Sequence, residues 1–323
     1  MQGLVTVFGG SGFVGGQVVR ALAKRGHRVR VAVRNPNLAY RMRMLGDVGQ
    51  IEVVQANVRN PDSVARAVQG AEAVINLVGV LWETGRQKFQ AVHTLGARTV
   101  AEQAHAAGVA RLVQVSAIGA DSQTDARYAR SKGLGEEAVL KAFPGAVIVR
   151  PSIVFGPEDS FFNKFAAMAA ISPALPLIGG GETRFQPVFV GDVAAAIARI
   201  VTLPSADGLI YELGGPATYS FRELLELILT ETGRKRVLAP LPWGLASLIG
   251  KAGDLMAAVL PLAPPLTSDQ VALLKSGDNV ASAGLPGLAE LGVEPTAVEA
   301  VVPAYLYRYR KGGQYAPTPA GAF

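Results

Sequence analysis

The chain has 323 residues, of which 50% are hydrophobic and 17% are charged. This length suits one large α/β domain with an appended lobe, or two domains of about 150 residues each, and the composition excludes intrinsic disorder because there is apolar surface to bury. Cysteine is absent, which excludes disulfides, thiolate nucleophiles and zinc–thiolate sites.

The net charge of +6 is concentrated near the start of the chain. Residues 1 to 46 contain eight basic residues and no acidic ones, so the remaining 277 residues hold 23 basic against 25 acidic residues. A local excess of this kind is typical of a site for a phosphate-bearing cofactor or of a contact with an anionic surface. Nucleic acid is not the expected partner, because the sequence lacks aromatic platforms and basic stripes.

Metal sites, signal peptides and membrane spans are also not expected. The three histidines, His27, His93 and His105, are scattered, and none pairs with an acidic residue at ligand spacing. A signal peptide would have a basic segment before an apolar run, and the first residues have none. No apolar run reaches the roughly 18 residues of a membrane-spanning helix, although 240–266 comes near.

Apolar runs alternate with helical patterns through the first half of the chain. Strands are predicted at 3–8, 28–33, 51–55, 72–77, 111–115 and 146–150, and helices at 13–25, 61–69, 87–107 and 126–143. Because these strands lack polar alternation and are separated by helical crossovers, they indicate a parallel sheet that is covered on both faces. The first half is therefore expected to be a doubly wound α/β domain.

The second half has a looser pattern. A strand and helix are predicted within 186–203, and a strand at 209–213 precedes a helix at 220–232. We expect a domain over 1–150, a smaller and partly interleaved C-terminal lobe over 151–315 that faces a partner or membrane, and a flexible tail over 316–323.

A glycine-rich loop follows the first strand and precedes the first helix. Its sequence is Gly9-Gly10-Ser11-Gly12-Phe13-Val14-Gly15. At such a junction Gly9 permits a tight turn, Gly12 lets the backbone approach a pyrophosphate, and Gly15 lets the helix pack closely on the strand. Free N–H groups at the helix start would bind the diphosphate. This pattern predicts a Rossmann-type dinucleotide site.

Arginine ends the second strand, where an NAD-specific site usually has an acidic residue. The sequence there is Arg34-Asn35. A guanidinium can hold a 2′-phosphate through two parallel hydrogen bonds, so NADPH is favoured over NADH, although a solvated arginine at a strand end would also fit this pattern.

Two further strand ends are predicted to contact the cofactor. Asn57-Val58 closes the third strand, where a side-chain amide could contact the adenine, and Val78-Gly79 follows the fourth, where small residues would border the ribose and nicotinamide.

Tyr128 and Lys132 are four residues apart on a predicted helix, so they share one face. In hydride-transfer chemistry an adjacent ammonium favours the phenolate form of a tyrosine, which then donates or accepts a proton. Ser116, which ends the fifth strand, could hydrogen-bond a substrate carbonyl. On spacing alone an amphipathic surface pair is the alternative; after a dinucleotide fingerprint the catalytic reading is favoured.

Together these residues resemble the short-chain dehydrogenase/reductase superfamily, of the extended or atypical kind. The similarity also includes Val149-Arg150-Pro151 after the sixth strand and residues 187–194. It implies a Rossmann-type doubly wound parallel sheet with a smaller C-terminal lobe, and it places Pro151 at the cofactor. The superfamily includes epimerases, reductases, dehydratases and non-catalytic binders, so this likeness predicts fold and not reaction.

A narrower resemblance covers nearly the whole chain. Residues 150–159, 161–166, 278–280, 288–292 and 303–315 are similar to the NADPH-binding accessory subunits of respiratory complex I (NADH:ubiquinone oxidoreductase) and their alphaproteobacterial relatives. The resemblance implies a bound NADPH that is not turned over in the electron path, and a structural or assembly role where the peripheral and membrane arms join.

On this resemblance the chain is expected to be a peripheral protein on the cytoplasmic side of a bacterial inner membrane, bound to other complex I subunits. The Ser116, Tyr128 and Lys132 set would then be vestigial, and the tyrosine and lysine would hydrogen-bond the nicotinamide ribose. The alternative is a free NADPH-dependent reductase or epimerase that acts on a small carbonyl or nucleotide-sugar substrate.

Two segments could contact partners. The apolar stretch 240–266 could dock on a membrane-embedded partner or could be a buried helix. The stretch from Tyr305 to Lys311 combines aromatic and basic residues, which suits anionic lipid headgroups or an acidic partner, or a solvated helix end.

Overall fold

A computed structural model describes residues 2–259, 264 and 266–315. The strands are β1 (Gln2–Phe8), β2 (His27–Val33), β3 (Ile51–Gln55), β4 (Ala73–Asn76), β5 (Arg111–Val115), β6 (Val147–Pro151), β7 (Val154–Phe155), β8 (Ala174–Ile178), β9 (Arg184–Phe185), β10 (Val188–Phe189), β11 (Ile210–Leu213), β12 (Tyr219–Ser220) and β13 (Val237–Leu241). The α-helices are α1 (Phe13–Lys24), α2 (Pro61–Val68), α3 (Leu95–Ala106), α4 (Arg127–Ala142), α5 (Phe162–Ile171), α6 (Val190–Ile200), α7 (Phe221–Thr232), α8 (Trp243–Val259), α9 (Ser268–Ser276), α10 (Val298–Val301) and α11 (Pro303–Leu306).

The elements divide between two compact units. The first comprises the described residues of Met1–Pro151, Gly191–Leu213 and Ala283–Val293, and the second those of Ser152–Val190, Gly214–Ser282 and Glu294–Phe323. Residues 191–213 and 283–293 fall within the range of the predicted C-terminal lobe but pack with the first unit. The predicted tail, 316–323, lies outside the described residues.

A seven-stranded parallel sheet forms the first unit, in the order β11-β6-β5-β4-β1-β2-β3. This is the doubly wound order, in which the order of strand addition reverses between β1 and β4, and the predicted fold class is confirmed. All four residues of β4 are buried, as expected for a strand covered on both faces. Each predicted strand of the first half matches an observed strand to within one residue at either end.

One predicted helix differs from the structure. The helix expected over 87–107 consists of a π-helical turn at Gln90–Thr94 followed by α3. Such a turn depends on the contacts around it and has no local sequence signal, and π-helical turns are frequent at functional sites.

The second unit has a separate core beneath short strand pairs. β7 pairs with β10 and β8 with β13 in parallel, whereas β9 and β12 are antiparallel. Its core contains a cluster of aromatic rings that includes Phe155, Phe162 and Phe221. Helix α7 packs in this core. It begins at a Ser220–Glu223 capping box and ends at Gly233, whose left-handed conformation stops the helix.

Helix α8 is buried on one face and exposed on the other. A Cβ on Gly253 would lie 1.9 Å from the Leu266 carbonyl oxygen, so the helix packs tightly against the chain before α9. The opposite face leaves four apolar side chains 38% to 69% exposed: Leu245, Leu248, Ile249 and Leu255. The segment 240–266 therefore does not form a fully buried helix in its described part. Residues 260–263 and 265 lie outside the described residues. Within the described part of the chain, no helix has the length and apolar character needed to cross a membrane.

The stretch from Tyr305 onward bonds within the second unit. The Tyr305 hydroxyl is buried and donates to Asp159 Oδ2 at 2.6 Å, and Arg310 Nε donates to the Glu231 carbonyl at 2.7 Å. These two residues therefore do not form the open basic and aromatic surface that the sequence suggests, while Arg308 and Lys311 remain exposed.

Candidate functional site

The predicted site residues follow the carboxyl ends of the parallel strands. The glycine loop follows β1, Arg34 follows β2, Val78 and Gly79 follow β4, and Ser116 follows β5. In open α/β sheets, ligands bind at this edge, at the point where the strand order reverses. Here that point lies between β1 and β4.

Each glycine of the fingerprint has a distinct role in the loop. Gly9 has a φ of 77°, which strongly favours glycine, and Gly15 packs on the turn so closely that a Cβ there would lie 2.2 Å from the Gly9 carbonyl oxygen. Gly12 is different, because it has extended backbone and a Cβ would meet only the Gly9 carbonyl oxygen, at 3.4 Å. The space beside Gly12 is therefore open to a ligand and is not needed for packing.

The start of α1 can receive an anion. Gly12 is its N-cap, no side chain caps the helix, and its first turn contains no acidic residue. The first N–H groups of a helix have no partner within it and carry partial positive charge. Ser11, Phe13 and Val14 lie at this exposed or half-buried turn. These residues fit the diphosphate of a dinucleotide.

The residues predicted to contact the adenosine half of the cofactor differ in their exposure and hydrogen bonding. Arg34 is exposed, and its Nη1 donates to Gln87 Oε1 at 2.6 Å. The Asn35 and Asn57 side-chain oxygens accept from the backbone N–H groups of Asn37 and Arg59. Val58 is buried in the core of the first unit, so its side chain is not available to a cofactor.

The predicted Ser116, Tyr128 and Lys132 set comes together with Gly79. Lys132 Nζ lies 5.9 Å from the Tyr128 ring centroid and 3.4 Å from the carbonyl oxygen of Val115, the residue before Ser116. A Cβ on Gly79 would lie 3.4 Å from that Nζ. Pro151 is buried at the end of β6, and its carbonyl accepts from the Ile118 N–H.

Ser116 Oγ is buried and has no hydrogen-bond partner among the described residues. An unpaired buried hydroxyl is costly, by about 1 to 3 kcal/mol, unless a ligand or water satisfies it. Together with the open space at Gly12 and the uncapped α1, this hydroxyl fits a nicotinamide dinucleotide and a carbonyl-bearing substrate. When bound, such a cofactor supplies or accepts a hydride.

Burial lowers the pKa of Lys132 to about 8, and the nearby Glu136 carboxylate partly opposes that shift. Glu136 also anchors α4 to the sheet, because Arg150 donates to both of its carboxylate oxygens, at 2.9 and 2.6 Å, and to Glu212 at 3.3 Å. Lys132 can therefore hold a positive charge beside Tyr128 near neutral pH, in a position that the buried ion pair fixes.

His93 is a site residue that the sequence does not predict. It is 3% exposed, its Nε2 accepts from the Val80 N–H at 3.0 Å, and its Nδ1 lies 2.8 Å from Ser131 Oγ. Its ring meets the Tyr128 ring edge-on, with centroids 5.4 Å apart. Because Ser131 is 38 residues away along the chain, no local pattern could have revealed the contact.

Acidic pH is expected to destabilise the fold through His93. Burial, reinforced by the Lys132 charge, lowers the pKa of His93 from 6.5 to about 3. Below pH 6.5 the unfolded chain therefore binds a proton that the folded chain excludes, and stability falls as pH falls. Between pH 7.5 and 5 this should remove about 2 kcal/mol from the free energy of unfolding. In urea denaturation the loss between pH 7.5 and 5 should be about 2 kcal/mol larger in the wild type than in His93→Asn, which keeps the contribution of His27; parallel pH profiles for the two would contradict it.

No group of three or more His, Asp or Glu side chains that could hold a metal ion occurs in the part of the chain that the structure describes.

Comparison with known proteins gives three similarities at different levels. Residues 5–214 match the NAD dependent epimerase/dehydratase family. Subunit 9 of the mitochondrial NADH dehydrogenase (ubiquinone) 1 alpha subcomplex from Rattus norvegicus is 37% identical over 309 residues, which cover 95% of this chain and 80% of the rat protein. A ceramide reductase from Caulobacter vibrioides is also 37% identical, over 203 residues that cover 63% of this chain and 62% of that protein.

Among solved structures, the NADPH-dependent quinone oxidoreductase QOR2 from Escherichia coli, complexed with NADPH, superimposes with a TM-score of 0.74. The alignment covers 94% of this chain and 99% of that chain at 21% identity. At this identity the likeness concerns the fold.

Proposed function

Because the chain belongs to the NAD dependent epimerase/dehydratase family and, within it, to the group of complex I alpha subcomplex subunit 9, as its sequence resemblance predicts, we propose that it is an NADPH-binding accessory subunit of respiratory complex I. Its partners are then other subunits of that complex, and its role is structural or in assembly. The observation that carries this proposal is the extent of the similarity, which reaches both units of the chain.

As part of the same proposal, the chain is bound peripherally at the cytoplasmic face of a bacterial inner membrane, where the peripheral and membrane arms of the complex join. The exposed apolar face of α8 supports a docking role there. Leu248 and Leu255 are 64% and 69% exposed, and each would contribute about 1.5 to 3 kcal/mol if fully buried in an interface.

The double change Leu248→Ser and Leu255→Ser is expected to reduce co-purification with complex I by about tenfold or more. The free protein should keep its melting temperature, since both side chains are exposed. Affinity purification of the tagged chain from mildly solubilised membranes, followed by mass spectrometry, measures the recovered subunits. The matched control, Ile171→Ser with Val237→Ser, changes two exposed apolar residues away from α8 and should leave recovery unchanged; equal recovery from the α8 variant would contradict the docking role.

The family binds a nicotinamide dinucleotide, and NADPH is our specific proposal. Arg34 supports it, because an exposed guanidinium at the end of β2 can pair with a 2′-phosphate and gains little from the hydroxyl of NADH. The absence of acidic residues from 1–46 adds a favourable potential for the extra phosphate.

Arg34→Glu should therefore weaken NADPH by about 10- to 100-fold and change NADH affinity by less than about threefold. Calorimetry with both cofactors measures this. Arg28→Glu makes the same charge change at an exposed position near the opposite end of β2 and should preserve the preference. Equal affinities of the wild type for the two cofactors would rule out the 2′-phosphate contact.

A free NADPH-dependent reductase is the second candidate, and a specific observation favours it. Lys132 lies beside Tyr128 and beside Val115, the residue before Ser116, and the unpaired Ser116 hydroxyl is suited to a substrate carbonyl. The similarity to a ceramide reductase over 63% of the chain also supports a reductase. Under the subunit proposal, these residues hold the nicotinamide ribose and do not turn over a substrate.

A further inference from the structure

We propose that His93 is a positioning residue for the nicotinamide end of the cofactor site, acting through Val80, Ser131 and Tyr128. The proposal rests on the cofactor binding proposed above. Its basis is the position of the buried imidazole. His93 lies in the turn that precedes α3, and its ring bonds both to the loop after β4 and to the helix α4.

The hydrogen bonds around His93 fix its orientation and its proton. The Ser131 hydroxyl donates to the Tyr128 carbonyl at 2.8 Å, so its oxygen must accept from His93 Nδ1–H. Nε2 is then unprotonated and accepts the Val80 N–H at 3.0 Å. Every polar atom of the imidazole is therefore used, and a doubly protonated ring would lose the bond to the loop.

The ring also packs against aromatic neighbours. It stacks on Phe89, with centroids 5.4 Å apart and planes 20° apart, and it meets Tyr128 edge-on at 88°. Such contacts restrict the Tyr128 ring to one orientation. His93 thus fixes both the side chain of Tyr128 and, through Ser131, the backbone of the turn that contains it.

His93 and Lys132 flank the same glycine. A Cβ on Gly79 would lie 3.4 Å from Lys132 Nζ and 3.6 Å from His93 Nε2. The backbone of His93 is equally constrained, because a Cβ on Gly135 of α4 would lie 2.3 Å from the His93 carbonyl oxygen. The π-helical turn at Gln90–Thr94 therefore places this imidazole between the loop after β4 and the helix α4.

The hydrogen bonds and ring contacts of His93 described above involve neither the glycine loop nor Arg34. Loss of the imidazole should accordingly weaken binding of the nicotinamide half of the cofactor and spare the adenosine half. A ligand that lacks the nicotinamide half, adenosine 2′,5′-bisphosphate, separates the two effects.

The test compares His93→Leu and His93→Asn with the wild type by calorimetry with NADPH and with adenosine 2′,5′-bisphosphate, and by the fluorescence of bound NADPH. His93→Leu should weaken NADPH about tenfold, alter the fluorescence of the bound nicotinamide, and leave the bisphosphate affinity within about threefold. His93→Asn should restore most of both properties, because its amide can accept from Val80 and donate to Ser131.

His105→Leu is the control, since His105 lies exposed on α3 and its ring meets the Phe143 ring edge-on. Ser131→Ala removes the Nδ1 hydrogen bond of His93 and the bond from Ser131 to the Tyr128 carbonyl, but it keeps the imidazole and its bond to Val80. It should therefore shift NADPH affinity in the same direction by less, and it keeps the test decisive if His93→Leu does not fold. Unchanged NADPH affinity and fluorescence in these variants would overturn the inference while leaving the proposed function intact. An equal loss of both ligands would also overturn it, as a general structural effect, and a wild type that binds neither ligand would overturn the cofactor proposal as well.

Discussion

Gly12→Val is expected to weaken NADPH binding by about a hundredfold or more, while the fold without cofactor remains intact. The backbone at Gly12 is extended, which any residue can adopt, and an added Cβ would meet only the Gly9 carbonyl oxygen, at 3.4 Å. The new side chain therefore takes up the space that a pyrophosphate needs, and its Cβ displaces no protein atom.

Calorimetry measures the affinity, and thermal melts with and without NADPH measure the fold. A ligand at a hundred times its Kd stabilises the folded state by about 2.7 kcal/mol. NADPH should therefore raise the melting temperature of the wild type and leave that of Gly12→Val unchanged. The matched control is Gly16→Ala, where an added Cβ meets no heavy atom within 4 Å. Gly15→Ala should instead destabilise the protein itself, because its Cβ would lie 2.2 Å from the Gly9 carbonyl oxygen. A Gly12→Val protein that retains one NADPH per chain would refute the assignment of the loop.

Tyr128→Phe is expected to leave NADH-to-quinone electron transfer by the assembled complex nearly unchanged. A structural cofactor needs no proton from this tyrosine, and the aromatic contacts with His93 and Phe89 survive the loss of the hydroxyl. If the chain is instead a free reductase, the same change removes a general acid or base worth about 10² to 10⁴ in rate.

Quinone reduction in membranes and NADPH oxidation by the purified chain, with small carbonyl substrates, distinguish these outcomes. Lys132→Met should behave as Tyr128→Phe does in the reductase assay if both belong to one catalytic set. A large loss of quinone reduction in Tyr128→Phe, at normal levels of assembled complex, would show that the tyrosine takes part in the electron path and would contradict a structural role.

The parallel sheet could be predicted because its information is local. Strands such as Ala73–Asn76 are apolar up to their last residue, and the fingerprint from Gly9 to Gly15 lies at one strand-to-helix junction. The shared face of Tyr128 and Lys132 follows in the same way from helical spacing within α4.

What could not be predicted depends on residues far apart in sequence. The imidazole of His93 acquires its role from Ser131 and Tyr128 on another helix, and the pairing of Arg150 with Glu136 and Glu212 joins three elements. The burial of the Val58 side chain likewise depends on core residues that are distant in sequence. The apolar composition of α8 was visible in the sequence; which face it exposes depends on how tightly Gly253 packs against Leu266.

Deletion of the chain in its source organism, followed by native electrophoresis and quinone reduction in membranes, tests the central claim most directly. If the chain is an accessory subunit of complex I, the deletion should lower the amount of intact complex, wild type and Tyr128→Phe should restore it, and Gly12→Val should restore it poorly. Normal assembly and activity of complex I in the deletion strain would contradict the account and favour the free reductase.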